Sequence, residues 1–273
     1  MNHKNTFGAL AVVAALAALL MPVRAADEPK YPDLRGEWHG TGNRWPKPAP
    51  LTAEYQAILE AGLAEQERGG QGNTPTFTCL PPGMPRQMNV YEPMEIIVTP
   101  QTTYLWIEHV HDSRRIYTDG RDWPKEEIDP SFRGQSIGKW LDTDGDGLYD
   151  TLAVETRHLK GPRTFDSTGI PMHADNNTVV KERIFWDKNK PNELRNEITT
   201  IDNALTRPWT ITKVYRRSQD KGPIWWRESI CAENNSLVRI GTEVYYNSAD
   251  GLLMPAKKDQ PPPDLRYFNK AGK

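Results

Sequence analysis

The chain has 273 residues, with 34 Lys and Arg against 36 Asp and Glu, and this slightly acidic balance argues against nucleic acid or an anionic membrane surface as a partner. Nine tryptophans and ten tyrosines in an otherwise polar chain fit half-buried strands and a ligand-lined cavity. There is no repeat period and no linker rich in Pro, Gly or Ser, so a single domain is expected.

Residues 1–25 read as an export signal. Lys4 supplies the charge, Phe7 to Met21 is apolar but short for a membrane span, and Val23-Arg24-Ala25 fits a small-x-small cleavage site. No cysteine follows to carry a lipid anchor. The expected product is a soluble periplasmic or secreted protein over 26–273, without a membrane segment. Losing Lys4 and Arg24 and no acid, it carries 32 basic and 36 acidic residues, or −4.

The domain opens with Asp33-Leu-Arg-Gly36-Glu-Trp38 as a first strand. A helix is predicted over 52–68: Thr52 serves as N-cap, Tyr55, Ile58, Leu59 and Leu63 share one face, and Gly69-Gly70 stops it. Thr78 to Arg86 contains three prolines and is expected to be an ordered loop or lid. In a chain that leaves the reducing cytoplasm, Cys79 and Cys231 are expected to pair, which contributes roughly 4–5 kcal/mol through chain entropy.

Strand signals then arrive in series over about 94–215: Glu95 to Thr99, Thr103 to His111, Arg114 to Tyr117, Ser136 to Leu141, Thr151 to His158, Val179 to Trp186, Glu193 to Ile201 and Trp209 to Tyr215. Short turn-rich connections imply antiparallel neighbours. The predicted fold is mainly β, an antiparallel up-and-down barrel or strongly curved sheet with one N-terminal helix. An extended C-terminal tail is expected over about 222–273.

Between two of these strands lies Asp142-Thr-Asp144-Gly-Asp146-Gly147-Leu148-Tyr-Asp150. Four aspartates within nine residues repel one another unless a hard cation holds them, and their spacing suits Ca²⁺, with Leu148 offering its carbonyl. Ala153 replaces the closing glutamate of an EF-hand, so the expected ion is a structural calcium on a hairpin tip. A merely acidic, solvated turn is the alternative.

The densest chemistry lies in Glu108-His109-Val-His111-Asp112 and Arg114-Arg115-Ile-Tyr117-Thr-Asp119. On one strand, His109 and His111 would share a face with Leu105 and Ile107. Three readings compete. The pair holds a transition metal with His158 or His173; or one histidine is a general acid/base, placed by Asp112, Asp119 or Asp166 beside Tyr117; or both are structural, hydrogen-bonded to neighbouring carboxylates. His173, on a loop beside Asp175, is a further catalytic candidate. Trp106, Arg115, Trp140, His158 and Trp209 are the expected ligand-binding residues, and Trp225-Trp226 a possible aromatic wall or plug. The sequence contains no Gly-x-Ser-x-Gly, no phosphate loop, no His-Glu-x-x-His and no dinucleotide fingerprint, so no organic cofactor is expected.

Two resemblances arise from these residues. Gly36-x-Trp38 at the first strand resembles the start of the calycin, or lipocalin-like, barrels. Cys79-Leu-Pro-Pro-Gly-Met-Pro-Arg, Arg114-Arg-Ile-Tyr-Thr-Asp-Gly-Arg, Ser136-Ile-Gly-Lys-Trp and Leu205-Thr-Arg-Pro-Trp-Thr resemble blocks shared by exported bacterial proteins of largely unassigned function. The second resemblance implies that the aspartate loop is an insertion into a tight turn. The expected function is binding of a small apolar or aromatic molecule, such as a terpenoid, steroid or phenolic compound. The alternatives are a cofactor-independent lyase, hydratase or isomerase with a histidine base, and a metal-dependent hydrolase.

Overall fold

A computed structural model describes residues 30–42, 45, 47–89, 92–108, 110–220, 222, 225–227, 230–231, 236–264 and 266, and only the backbone of 110–112. The expected export signal and His109 lie outside the described residues.

Nine strands close into a barrel. They are β1 (Glu37–Gly40), β2 (Met94–Val98), β3 (Thr102–Ile107), β4 (Val110–Tyr117), β5 (Gln135–Leu141), β6 (Thr151–Arg157), β7 (Val179–Trp186), β8 (Glu193–Ile201) and β9 (Trp209–Arg217). Closure comes from β1, which pairs with both β2 and β9. All neighbours are antiparallel except β4 and β5, which run parallel and share only two register pairs, Ile116↔Ser136 and Tyr117↔Ile137. The parallel step follows from the connection 118–134, which carries the chain back along the barrel before β5 begins. β4 and β5 therefore meet in a narrow seam, not a full ladder.

Alternation decides what the barrel encloses. Leu194, Asn196, Ile198 and Thr200 on β8, and Trp209, Ile211, Lys213 and Tyr215 on β9, are buried. Their neighbours in sequence face outward or are half-covered. The lumen also holds an ion pair: Arg114 is 1% exposed, Glu182 is 2% exposed, and their side chains meet directly. Arg114 also donates to Thr156 Oγ1 at 3.0 Å, and Asn196 Nδ2 donates to Glu182 Oε1 at 2.8 Å. These bonds supply the partners that two buried charges require.

Both ends are covered. At the end where β5 and β6 turn, Trp38 is fully buried, donates from its indole nitrogen to Leu34 O at 2.9 Å, and lies under the Arg217 guanidinium. At the opposite end the proline-rich segment is an ordered loop that covers the barrel as a lid, with its own Met84 and the following Met88 buried. Tyr215 Oη donates to Met88 O at 2.6 Å. Gly83 has φ +64° and a Cβ there would strike Phe132 O at 2.5 Å, so this close approach requires glycine. Cys79 and Cys231 form a disulfide that ties the lid to the C-terminal region.

Four local expectations change. The run Thr103 to His111 is not one strand: β3 ends at Ile107 and β4 starts at Val110, with Ile107↔Val110 paired across the turn. His111 therefore belongs to a different strand from Leu105 and Ile107, and the shared-face argument for the histidine pair falls. The helix α1 (Ala53–Glu67) forms where expected, with Thr52 Oγ1 accepting from Tyr55 N, yet Ile58 and Leu63 remain exposed because α1 lies on the surface and buries only Gly62. The expected tail contains a separate three-stranded sheet of β10 (Leu237–Ile240), β11 (Glu243–Asn247) and β12 (Leu253–Pro255). Trp225, 83% exposed, and Trp226 both lie on the surface, so neither plugs the barrel. Among the described residues, no helix is long and apolar enough to cross a membrane.

Candidate functional site

The seam creates the site. Where β4 leaves β5, a groove of about 770 Å³ opens along the outside of the barrel, between the 118–121 turn and the outer faces of β5 to β7. Its aromatic wall is a cluster of three rings: half-buried Tyr31 and Tyr149 lie over Trp140, which points inward from β5 and borders the groove only where the seam opens. Tyr31 lies edge-on to Trp140 with centroids 5.6 Å apart, and 5.3 Å from the Tyr149 ring. Trp140 is fixed from behind by its indole nitrogen, which donates to Thr103 Oγ1 at 3.1 Å. Tyr31 is brought there by the N-terminal segment, since Tyr149 N donates to Lys30 O at 2.6 Å. Burial, helped by neighbouring Tyr149, raises the Tyr31 phenol above its ordinary pKa.

Charges line the opposite rim. Arg121 grips Asp119 through Nη2–Oδ2 at 2.6 Å and lies over the Tyr117 ring at 3.8 Å. That guanidinium holds the Asp119 carboxyl below the ordinary range. Lys181 faces Glu155 at 3.5 Å, while Lys139, on the same outer face, makes no ion pair with a described residue. Flat apolar surface beside a few placed polar groups is the makeup of a small-molecule site.

A second feature adjoins the first through Tyr149. Asp142, Asp144 and Asp146 each offer an oxygen, all within 4.8 Å of one another. The turn is shaped by its own acids: Asp142 accepts from Gly145 N at 2.7 Å and from Gly147 N at 2.9 Å. Lys188 places its ammonium 2.8 Å from both Asp144 and Asp146. These bonds push the lysine pKa up and, with the Leu148 N–H, pull the Asp146 carboxyl down. The Asp150 carboxylate is engaged by Thr143, whose N–H and Oγ1 reach it at 2.9 and 2.8 Å. The Leu148 side chain is exposed. Asp144, Asp146 and Lys188, with Phe185 and Trp186, also line a cleft of about 430 Å³ beside the loop.

The remaining candidates are dispersed. Trp106, 51% exposed, and Arg115 face solvent on the outside of β3 and β4. Trp209 is buried at the lid end against Phe165, with ring centroids 4.3 Å apart. His158 stands at φ 58° beside the Trp123 ring, and its buried Nδ1 has no hydrogen-bond partner. His173 lies near Asp175 at 3.2 Å and against Tyr55, also at the lid end. Tyr117 and Asp119 are at the other end, so they and His173 cannot act on one small substrate. Also beneath the lid, Lys213 is 1% exposed and donates to Thr41 O. Burial pushes its pKa down to about 8, against the opposing pull of Asp166 and Glu92.

Tyr31 and Lys139 were not among the residues expected at the site. One signal for them existed: the connection 118–134 is too long for a hairpin and long enough for a parallel crossover, which places a seam between β4 and β5. No family model matches the chain, and no curated protein matches it.

Proposed function

We propose that this is an exported protein that binds a small aromatic molecule in the seam groove. The observation that carries this reading is the Tyr31–Trp140–Tyr149 ring cluster forming one wall of a groove whose other rim is charged. The side chains buried in the lumen favour the outer groove over the interior as the ligand's place. Of terpenoid, steroid and phenolic ligands, the polar rim suits the phenolic. Gly36-x-Trp38 leading into a barrel, with Trp38 buried across one end, supports the calycin-like reading, and the disulfide supports export.

Binding is tested by titration calorimetry with a panel of small phenols and arenes. Tyr31→Ala should weaken binding about tenfold by removing one ring of the wall, with the melting temperature little changed. A panel that produces no heat with the wild-type protein would contradict the proposal.

Calcium at Asp142, Asp144, Asp146, the Leu148 carbonyl and Asp150 is proposed as a structural ion. To bind, it must displace the Lys188 ammonium, which places the affinity at the weak end, on the order of 10⁻⁴ M. At about 100-fold excess over that value the ion stabilises the fold by about 2.7 kcal/mol, a rise of several degrees in melting temperature. Lys188→Met should tighten calcium binding. Identical melting curves in calcium and in EGTA, for both the wild type and Lys188→Met, would rule the ion out.

A further inference from the structure

We propose that the groove selects phenols, and that the selecting element is the uncovered main-chain edge of β5. This rests on the groove being the ligand site. Thr118 N donates to Gln101 O at 2.8 Å, which continues the β3–β4 ladder and fixes its phase. By alternation, the main-chain groups of Ile116 face β3 and those of Arg115 and Tyr117 face β5. The register Ile116↔Ser136 and Tyr117↔Ile137 then turns the main-chain groups of Ser136, Gly138 and Trp140 toward β4. The ladder stops there: Asp119 is the next residue whose main chain could face β5, and it makes no main-chain bond to that strand.

The Gly138 C=O and the Trp140 N–H thus face the groove, two residues apart, beyond the last pair of the seam. Both residues are buried, and no described main-chain group outside the strand ladders bonds either of them. Water in the open groove meets this donor and acceptor, so a ligand that displaces it must offer a group that both accepts and donates, or leave one of them unpaired at a cost of about 1–3 kcal/mol. A phenol hydroxyl does both. It donates to the Gly138 carbonyl, accepts from the Trp140 N–H, and leaves its ring against Tyr31. An aryl ether can only accept, and a carboxylate would set its negative charge against the β5 carbonyls.

The test compares 4-ethylphenol with 4-ethylanisole by titration calorimetry, on the wild type and on Lys139→Met, and follows amide hydrogen exchange at Trp140. The phenol should bind at least about tenfold more tightly than the ether in both proteins, and its binding should slow exchange at Trp140. Equal affinities, a preference lost in Lys139→Met, or unchanged Trp140 exchange on phenol binding would each overturn the proposal, while the aromatic groove itself would stand. If neither compound binds and the arene panel is also silent, the groove reading fails with it.

Discussion

Replacing Glu182 with alanine should destabilise the barrel by about 3–5 kcal/mol, because it leaves the Arg114 guanidinium charged and buried in the lumen. Three groups converge on this pair: Ser136 Oγ and Thr156 Oγ1 accept from Arg114, and Asn196 donates to Glu182. Removing both charges together is different. The double variant Arg114→Met, Glu182→Leu fills comparable space without a charge to solvate, and should recover most of the loss. Urea unfolding of Arg114→Met, of Glu182→Leu and of the double variant measures the coupling directly. Additive single effects would mean that the pair is hydrated and that the lumen is wetter than its packing indicates.

The second large effect concerns the disulfide. Cys79 and Cys231 are 152 residues apart in sequence, and opening a loop of that size should cost roughly 5 kcal/mol of global stability in the chain-entropy account. Cys79→Ser with Cys231→Ser should therefore unfold at much lower denaturant, and treating the wild type with reductant should reproduce the change. The lid should loosen first, since its covalent tie to the C-terminal region is lost. Hydrogen exchange at Met84 and Met88 should rise before exchange in β7 and β8. A double serine variant as stable as the wild type would show that the tie contributes nothing beyond the packing of the lid.

Much of the barrel was legible because alternation is a strong local signal. Val179–Trp186 and Glu193–Ile201 were readable to the residue, since each carries β-forming residues at alternate positions, Val180 and Ile184 or Leu194 and Ile198, and turn residues in the connection between them. The reading failed where tertiary context overrides pattern. Thr103 to His111 looks continuous because Val110 prolongs the β-branched run, yet the chain reverses between Ile107 and Val110. Ile58 and Leu63 have helical spacing but end on the surface, so periodicity located α1 without saying how little it would cover.

The site was less visible than the fold for a physical reason. Trp140 could be singled out by its place on a strand, but Tyr31 comes from a segment far away in sequence, held beside Trp140 by the Tyr149–Lys30 hydrogen bond and by ring contacts. The unpartnered edge of β5 depends on a two-pair register, which no residue pattern encodes. The aspartate loop shows the reverse. It is conspicuous in sequence, yet in the structure Lys188 bridges two of its acids from a neighbouring turn. A motif can be sharp while its place in function is decided by residues outside it.

The central claim is that an aromatic ligand lies outside the barrel, at the β4–β5 seam. Intermolecular nuclear Overhauser contacts with 4-ethylphenol test it most directly. The predicted result is contact from the ligand ring to the Tyr31 and Tyr149 rings, with none to the lumen methyls of Ile184 or Ile198. Contacts to those lumen methyls, with the Tyr31 and Tyr149 rings untouched, would contradict it.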